Sequence, residues 1–367
     1  MLNYISLSGF IIVSSLAYIA SLRSNNHVVR LVIYFFLVSI FTFIATLYGF
    51  RRVDYLYGGS DTIAYLNTFH NLDLSNFFSI FEQRMEKGYV FLMWLFKTTT
   101  GSFALFLSFI FSLIYLFFLK ICKEITLNYF TIFSISIFSL FFIDSFNITR
   151  MIIGSFLTFI SIICLSNGDV RKSILYVLLG SLFQLVSLWG GIFIIYYLIV
   201  NKYATSKLKY LLLNVLLLLI SYFSIRVFSS VLTLIGYGHY LTGDINSFSP
   251  LNYIYLTLIL IGYFFLWKND IDNKVSNTIF LLLPTMYFVI PLYLNFQIAY
   301  RFNYVYMLCF AFILPDICSA CLKSKGYILK FLLLLPLSYA SIKYYSYFVS
   351  SMDDIKLWGL LPSWYIL

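Results

Sequence analysis

An all-α, polytopic membrane fold is predicted by three observations. The chain is 62% hydrophobic and only 10% charged, which leaves too few polar side chains to cover a water-soluble domain of 367 residues. Apolar runs of about twenty residues recur along its whole length, each long enough to cross a hydrocarbon core of about 30 Å. Most of the lysines fall in the short loops between those runs, as a topological bias requires. Lipid satisfies no backbone N–H or C=O group, so the runs must be helices.

The first run, residues 2–22, has neither a basic segment ahead of it nor a cleavage site, and is read as a span rather than a removed signal peptide. Further spans are expected near 31–50, 102–119, 127–143, 151–166, 208–225, 251–267, 275–294, 302–321 and 327–348. Two stretches do not fit. Residues 88–99 are too short to cross, and residues 174–200 are too long for one simple helix and carry Gln184, Gly190 and Gly191. Arg171 and Lys172 precede that long stretch while Lys202, Lys207 and Lys209 follow it. Both flanks therefore belong on the cytoplasmic side, which requires an even number of crossings. Two short tilted helices with a hinge between Gln184 and Gly191 satisfy that demand. A break at membrane depth must face protein or a water-filled cavity, so the hinge is expected to line one. The prediction is a single integral membrane domain over 1–367 with about eleven helices plus short broken or re-entrant ones. Both termini, a large loop at 51–87 and a second loop at 226–250 lie outside.

On this topology the two cations part company. Eleven of the fifteen lysines lie on or beside the inner face, whereas six of the nine arginines, Arg51, Arg52, Arg84, Arg150, Arg226 and Arg301, lie at the outer side. A topological bias treats both cations alike, so something outside calls for guanidinium. Phosphate is such a ligand, because the planar fork binds its oxygens bidentately and keeps its charge when partly desolvated. The competing explanation is that these arginines snorkel at helix ends or pair with neighbouring acids.

The loop at 51–87 is dense in titratable groups: Asp61 after Gly58, Gly59 and Ser60, then His70, Asp73, Glu82, Arg84 and Glu86. Asn147 and Arg150 open one expected span, and Arg301 opens another in the same orientation. A cation is disfavoured at a helix N-terminus, so each needs an anion nearby; for Arg150, Asp144 or an external phosphate can serve. The second loop adds His239 and Asp244. The formal charge of +10 is explained by topology, and no basic aromatic module for nucleic acid is present. Cys318 and Cys321 form a CxxC with no second pair or nearby histidine, so they read as helix-packing residues, and no structural disulfide is expected.

Between Arg51 and Pro315 the chain resembles the Wzy-type polysaccharide polymerases of O-antigen and capsule synthesis, in particular their EpsG-like branch. The resemblance is carried by Gly59-Ser60-Asp61 followed by Tyr65, by Glu86-Lys87-Gly88-Tyr89 before a short apolar helix, and by Asn147 and Arg150 opening a span. It continues through the broken element around Leu182 to Trp189 and through Arg301 ahead of a late span ending in Leu314-Pro315. One position departs from it. Where the family shows histidine in a Phe-His-x-x-Ser pattern, this chain has Phe183-Gln184-Leu185-Val186-Ser187, and glutamine is no general base. Either Gln184 binds sugar hydroxyls while the chemistry lies elsewhere, or the base role has moved, or this copy is altered.

The resemblance implies a GT-C-like glycosyltransferase in the bacterial inner membrane with its active site facing the periplasm. Its substrates would be undecaprenyl-diphosphate-linked oligosaccharides, and it would need no cofactor or metal. Asp61 and Glu86 would activate or orient the acceptor, with His239 in reserve. Arg150 and Arg301 would hold the diphosphate, assisted by Arg84 or Arg226, and Tyr65, Asn147 and Gln184 would contact substrate. Membrane lipid and a chain-length regulator are the expected partners, and nucleic acid is not. The rival class is a lipid-linked oligosaccharide flippase or other multispan transporter, which should carry cations along a central cavity reaching both faces.

Overall fold

The computed structural model describes residues 2–23, 26–49, 53, 60–145, 148–203, 206, 208–217, 219–220, 257, 260, 271–289, 300–323, 326 and 328. Among them there is helix and no strand. In chain order the α-helices are α1 (Leu2–Arg23), α2 (His27–Gly49), α3 (Ser60–Asn71), α4 (Ser79–Glu82), α5 (Lys87–Thr100), α6 (Phe103–Cys122), α7 (Thr131–Asp144), α8 (Thr149–Ser166), α9 (Val170–Phe183) and α10 (Gly190–Tyr203). They are followed by α11 (Leu208–Leu217), α12 (Lys274–Leu282) and α13 (Tyr300–Lys323). Among the described residues, two 3-10 turns interrupt this order, Leu185–Trp189 between α9 and α10 and Leu283–Thr285 after α12.

Among the described residues, five segments are long and apolar enough to cross a membrane: His27–Thr46, Phe103–Cys122, Thr149–Ser166, Leu185–Tyr203 and Tyr304–Lys323. The protein is a multi-pass helical membrane protein. The expected spans at 251–267 and 327–348 lie largely outside the described residues, and of that at 208–225 the described part is the short apolar helix α11. The short stretch at 88–99 is a helix, α5, of 14 residues, which at 1.5 Å per residue is about 21 Å long and too short to span.

Helix ends follow local sequence chemistry. Ser102 caps α6 by accepting the Leu105 N–H at 3.3 Å, and Asn273 caps α12 by accepting from Val275 and Ser276. Gly101 closes α5 in the left-handed region, φ 65°, with its N–H on the carbonyls of Phe96 and Lys97, a conformation that costs glycine nothing.

The chain divides into two compact units, one from the described residues of 1–160 with 178–187, the other from 161–177 with the described residues of 188–341. In the first, α2 packs on α6, α1 on both α2 and α7, and α5 on α6. Tyr115 of α6 donates to Ser14 of α1 at 2.9 Å, and Phe118, Phe138, Phe141 and Phe156 form a buried aromatic cluster linking α6, α7 and α8. Helix α8 is buried on every side from Met151 to Leu165. A spanning helix apolar all round, as this one is, belongs inside a bundle.

In the second unit, Tyr210 donates to the Phe280 carbonyl at 3.0 Å and Tyr196 to Asn214 at 2.7 Å. Asp316 of α13, 7% exposed, accepts a short hydrogen bond from Ser276 in the first turn of α12. A carboxylate buried at that depth needs such a donor.

The long stretch at 174–200 breaks inside the interval where charge required a hinge. The helix α9 stops at Phe183, the turn occupies Leu185–Trp189, and α10 begins at Gly190. The turn folds back onto the end of α9. A Cβ placed on Gly180 would stand 2.9 Å from the Ser187 Cβ, whereas seven residues of continuous helix would separate them by about 10 Å along the axis.

Candidate functional site

The first unit gathers four elements around one ion pair: α3, α5, α8 and the start of the turn at Leu185–Trp189. Helix α3 buries Thr62, Tyr65 and Phe69 and exposes Ala64, Asn67 and His70, so helical spacing alone turns Tyr65 inward. Asp61 sits in its first turn, where an anion suits the helix N-terminus. Its far end is tied down by Lys97 of α5, which donates to the carbonyls of His70 and Leu72 at 2.7 Å each. The loop then returns to place Glu86 as the N-cap residue of α5, with Tyr89 one turn in.

Arg150, in the first turn of α8, forms an ion pair with Glu86. The two side chains are 16% and 13% exposed, so the pair is mostly shielded yet not sealed. The Arg150 Nε donates to the Tyr65 hydroxyl at 3.4 Å. The guanidinium carbon lies 5.2 Å from the centre of the Tyr65 ring and 6.0 Å from that of Tyr89, within the range of cation–π attraction. Those rings meet edge to face at 5.1 Å, and the Tyr89 hydroxyl shares a 2.8 Å hydrogen bond with Thr149. Two aromatic faces therefore hold the guanidinium independently of its carboxylate.

Glu86 has a second partner. Its other oxygen accepts the Leu185 N–H at 3.3 Å, an amide freed where α9 ends. The carboxylate so joins the break to the arginine. Gly88 allows this approach, because a Cβ there would meet the Leu182 Cβ at 2.6 Å and its carbonyl oxygen at 2.8 Å. On α8, one turn after Arg150, a Cβ on Gly154 would meet the Ser187 hydroxyl at 2.6 Å and the Gln184 Cβ at 2.8 Å. Gln184 is buried, and the Ser187 hydroxyl, in a residue 2% exposed, has no hydrogen-bond partner among the described residues.

Burial pushes the Tyr65 hydroxyl up to about 12; Arg150 opposes that shift and the charge of Asp61 adds to it. Tyr65 is thus a neutral donor and acceptor through the physiological range.

Of the residues singled out in the sequence, Asp61, Tyr65, Glu86, Arg150 and Gln184 all belong to this unit. Arg84 is exposed beside the same loop. Arg301 is half-buried at the start of α13 in the other unit. Asn147, Arg226 and His239 lie outside the described residues. The anion expected beside Arg150 is Glu86, 64 positions away in sequence. Sequence reasoning gave no role to Tyr89, Thr149, Ser187 or the Leu185 amide. Tyr89 and Ser187 stood inside the short motifs, but nothing in one sequence marks a backbone N–H. In the membrane-embedded part, Asp316 also went unremarked, since only its tertiary contact distinguishes it from a polar residue near a helix end.

No curated protein and no solved structure matches the chain. A family model does, over residues 33–358, which takes in every element of the site just described. The chain belongs to the EpsG family.

Proposed function

We propose that the protein is a polysaccharide polymerase of the bacterial inner membrane. It would transfer a growing glycan from undecaprenyl diphosphate to the next lipid-linked repeat unit at the periplasmic face. The family it belongs to is one of Wzy-like, polymerase-type membrane proteins, and its multi-pass helical build suits substrates that never leave the bilayer. The observation that carries the reading is the Arg150–Glu86 pair, shielded, braced by two tyrosines and joined to a broken helix.

The chemistry asks for two things. An acceptor hydroxyl must lose its proton as its oxygen attacks the anomeric carbon, and the bond from that carbon to the diphosphate oxygen must break with charge gathering on the phosphates. Arg150 answers the second need by exchanging the Glu86 carboxylate for phosphate oxygens, which fit the same fork. Pairing with arginine makes a carboxylate a poor base. Once displaced, Glu86 regains its basicity and accepts the hydroxyl proton, so donor binding precedes acceptor activation. Asp61 orients the acceptor sugar, Tyr65 keeps the guanidinium aimed, and Gln184 and Asn147 donate to sugar hydroxyls. Arg301, with Arg84 or Arg226, adds positive charge for the diphosphate, and His239 is the reserve base. No metal or cofactor enters this scheme.

The test uses purified protein in nanodiscs with lipid-linked repeat units and no nucleotide sugar. The wild type should build a ladder of longer glycans, and Glu86→Gln should bind undecaprenyl diphosphate more tightly while elongating far less. A Glu86→Gln protein that elongates at the wild-type rate would remove the carboxylate from the mechanism. Wild-type chain lengths from Arg150→Ala would sink the reading altogether.

A further inference from the structure

The outer loop between α3 and α5 carries an exposed apolar stripe that the charge-based reading of that loop did not foresee. Leu74, Phe77, Phe78 and Phe81 are 43%, 46%, 71% and 58% exposed. They stand close together along α4 and the turn that leads into it, and all four are turned outward. Ser79 and Ile80, on the other side, are buried, so this face is turned outward by packing.

The segment is firmly built. Asp73 accepts from the Ser75 N–H at 2.9 Å and its hydroxyl at 2.7 Å, and Asn76 accepts the Phe78 N–H at 2.9 Å. The Ser79 hydroxyl donates to the Asp73 carbonyl at 3.1 Å, and Lys87 donates to the carbonyls of Phe81 and Gln83. Polar groups thus spend themselves on holding the backbone, while the phenylalanines are presented outward.

The stripe is also continuous with other exposed apolar surface. Phe78 meets Phe81 and Phe77 at ring distances of 6.5 and 6.2 Å, and Phe77 meets Phe91 at 6.4 Å and Trp94 at 5.3 Å on α5. Phe91 and Leu95 of α5 are 40% and 37% exposed, and Leu105 and Phe109 of the spanning helix α6 are 42% and 36% exposed. The ring of Phe96 meets that of Phe109 at 5.1 Å. An apolar face that runs on into the flank of a spanning helix meets the medium that flank meets.

We propose that residues 74–81 lie in the plane of the bilayer surface, with Leu74, Phe77, Phe78 and Phe81 immersed among the acyl chains just below the headgroups. A short amphipathic segment with phenylalanine on one side and Asp73, Asn76, Glu82 and Gln83 flanking it suits that depth. Its consequence is positional. Glu86 follows a few residues later, so the anchor sets the Arg150–Glu86 pair near headgroup level, where a lipid-borne phosphate travels. The inference rests on exposure and packing and stands whether or not the polymerase reading does.

Tryptophan at positions 78, 81 and 82, introduced one at a time in nanodiscs holding lipids brominated near the headgroup end of the chains, tests it. Phe78→Trp and Phe81→Trp should each add blue emission that bromine quenches and aqueous iodide does not, and Glu82→Trp should add emission that iodide quenches. Should one phenylalanine variant fail to fold, the other decides. Iodide quenching at 78 and 81 would put the stripe in water and overturn the proposal. Emission quenched by neither agent, with two chains per disc, would overturn it in favour of a contact between copies.

Discussion

Each unit of this protein ties a broken helix to its neighbours through one side chain, but the two ties differ in kind. In the first unit the Leu185 amide reaches Glu86, which is paired with Arg150 at 13% and 16% exposure. In the second unit Trp189 donates to the Tyr306 hydroxyl at 3.0 Å, and that hydroxyl shares a 2.7 Å hydrogen bond with Thr285, inside the other 3-10 turn. Phe302 and Phe193 pack against the same group at ring distances of 4.7 and 5.6 Å. Tyr306 is 2% exposed and Thr285 is 0% exposed. The neutral tie is satisfied and sealed, as a structural clamp should be. The charged tie is open at its edge and uses partners that an anion can replace. Stability and function are therefore expected to separate between the two.

The largest effect that would break this distinction is at Arg150. Alanine there should lower elongation by about a hundredfold or more, the scale for losing one preorganised charge-stabilising group, with the protein still present in the membrane. Lysine should recover part of it, since charge is kept while the fork is lost. Chain lengths on a polysaccharide gel, normalised to membrane protein, provide the measurement. Next comes Gly154→Ala, whose added methyl meets Ser187 and Gln184. It should destabilise by about 1–3 kcal/mol as overpacking does, lower the melting temperature in detergent, and reduce elongation by shifting the break. Unchanged melting and activity would show that the turn does not depend on that close approach.

Tyr306→Phe sharpens the comparison from the other side. It strands the Trp189 N–H and should cost about 1–2 kcal/mol of stability with the elongation rate per folded molecule unchanged; a fall in rate without a fall in melting temperature would make the clamp part of the chemistry. The smallest effect is at Tyr65→Phe, where Arg150 loses a long 3.4 Å bond but keeps the ring face, so a few-fold loss of elongation is expected. Its pH dependence has a definite sign. Because folding raises the Tyr65 hydroxyl from 10.0 to about 12, the stability gained from keeping it neutral is complete below pH about 10 and lost as the pH rises towards 12. Tyr65→Phe should flatten that alkaline decline.

Much of the architecture was legible from hydropathy and charge. The spans at 31–50, 102–119, 151–166 and 302–321 appear as α2, α6, α8 and α13 with ends shifted by a few residues, whereas those expected at 2–22 and 127–143 appear as helices, α1 and α7, that are not among the segments long and apolar enough to cross. The hinge was placed correctly because lysines and arginines on both flanks forbade a single crossing. The loop at 51–87 does expose His70, Asp73, Glu82 and Arg84, as its density of titratable groups suggested, but Glu86 is paired inward and the exposed groups also include three phenylalanines. The inward pairing of Glu86 was invisible because its partners come from distant positions.

The sequence by itself determined that this chain is helical, membrane-embedded and broken near Gln184, because length, apolarity and flanking charge act locally and lipid leaves the backbone no alternative. It also marked Arg150 as a cation in need of an anion. Only the tertiary structure decided that the anion is Glu86, that Tyr65 and Tyr89 brace the pair, and that a freed amide at Leu185 completes it. Those choices depend on which helix faces lie together. Contacts spanning 64 and 99 residues of chain leave no periodic trace in the sequence that folds to make them.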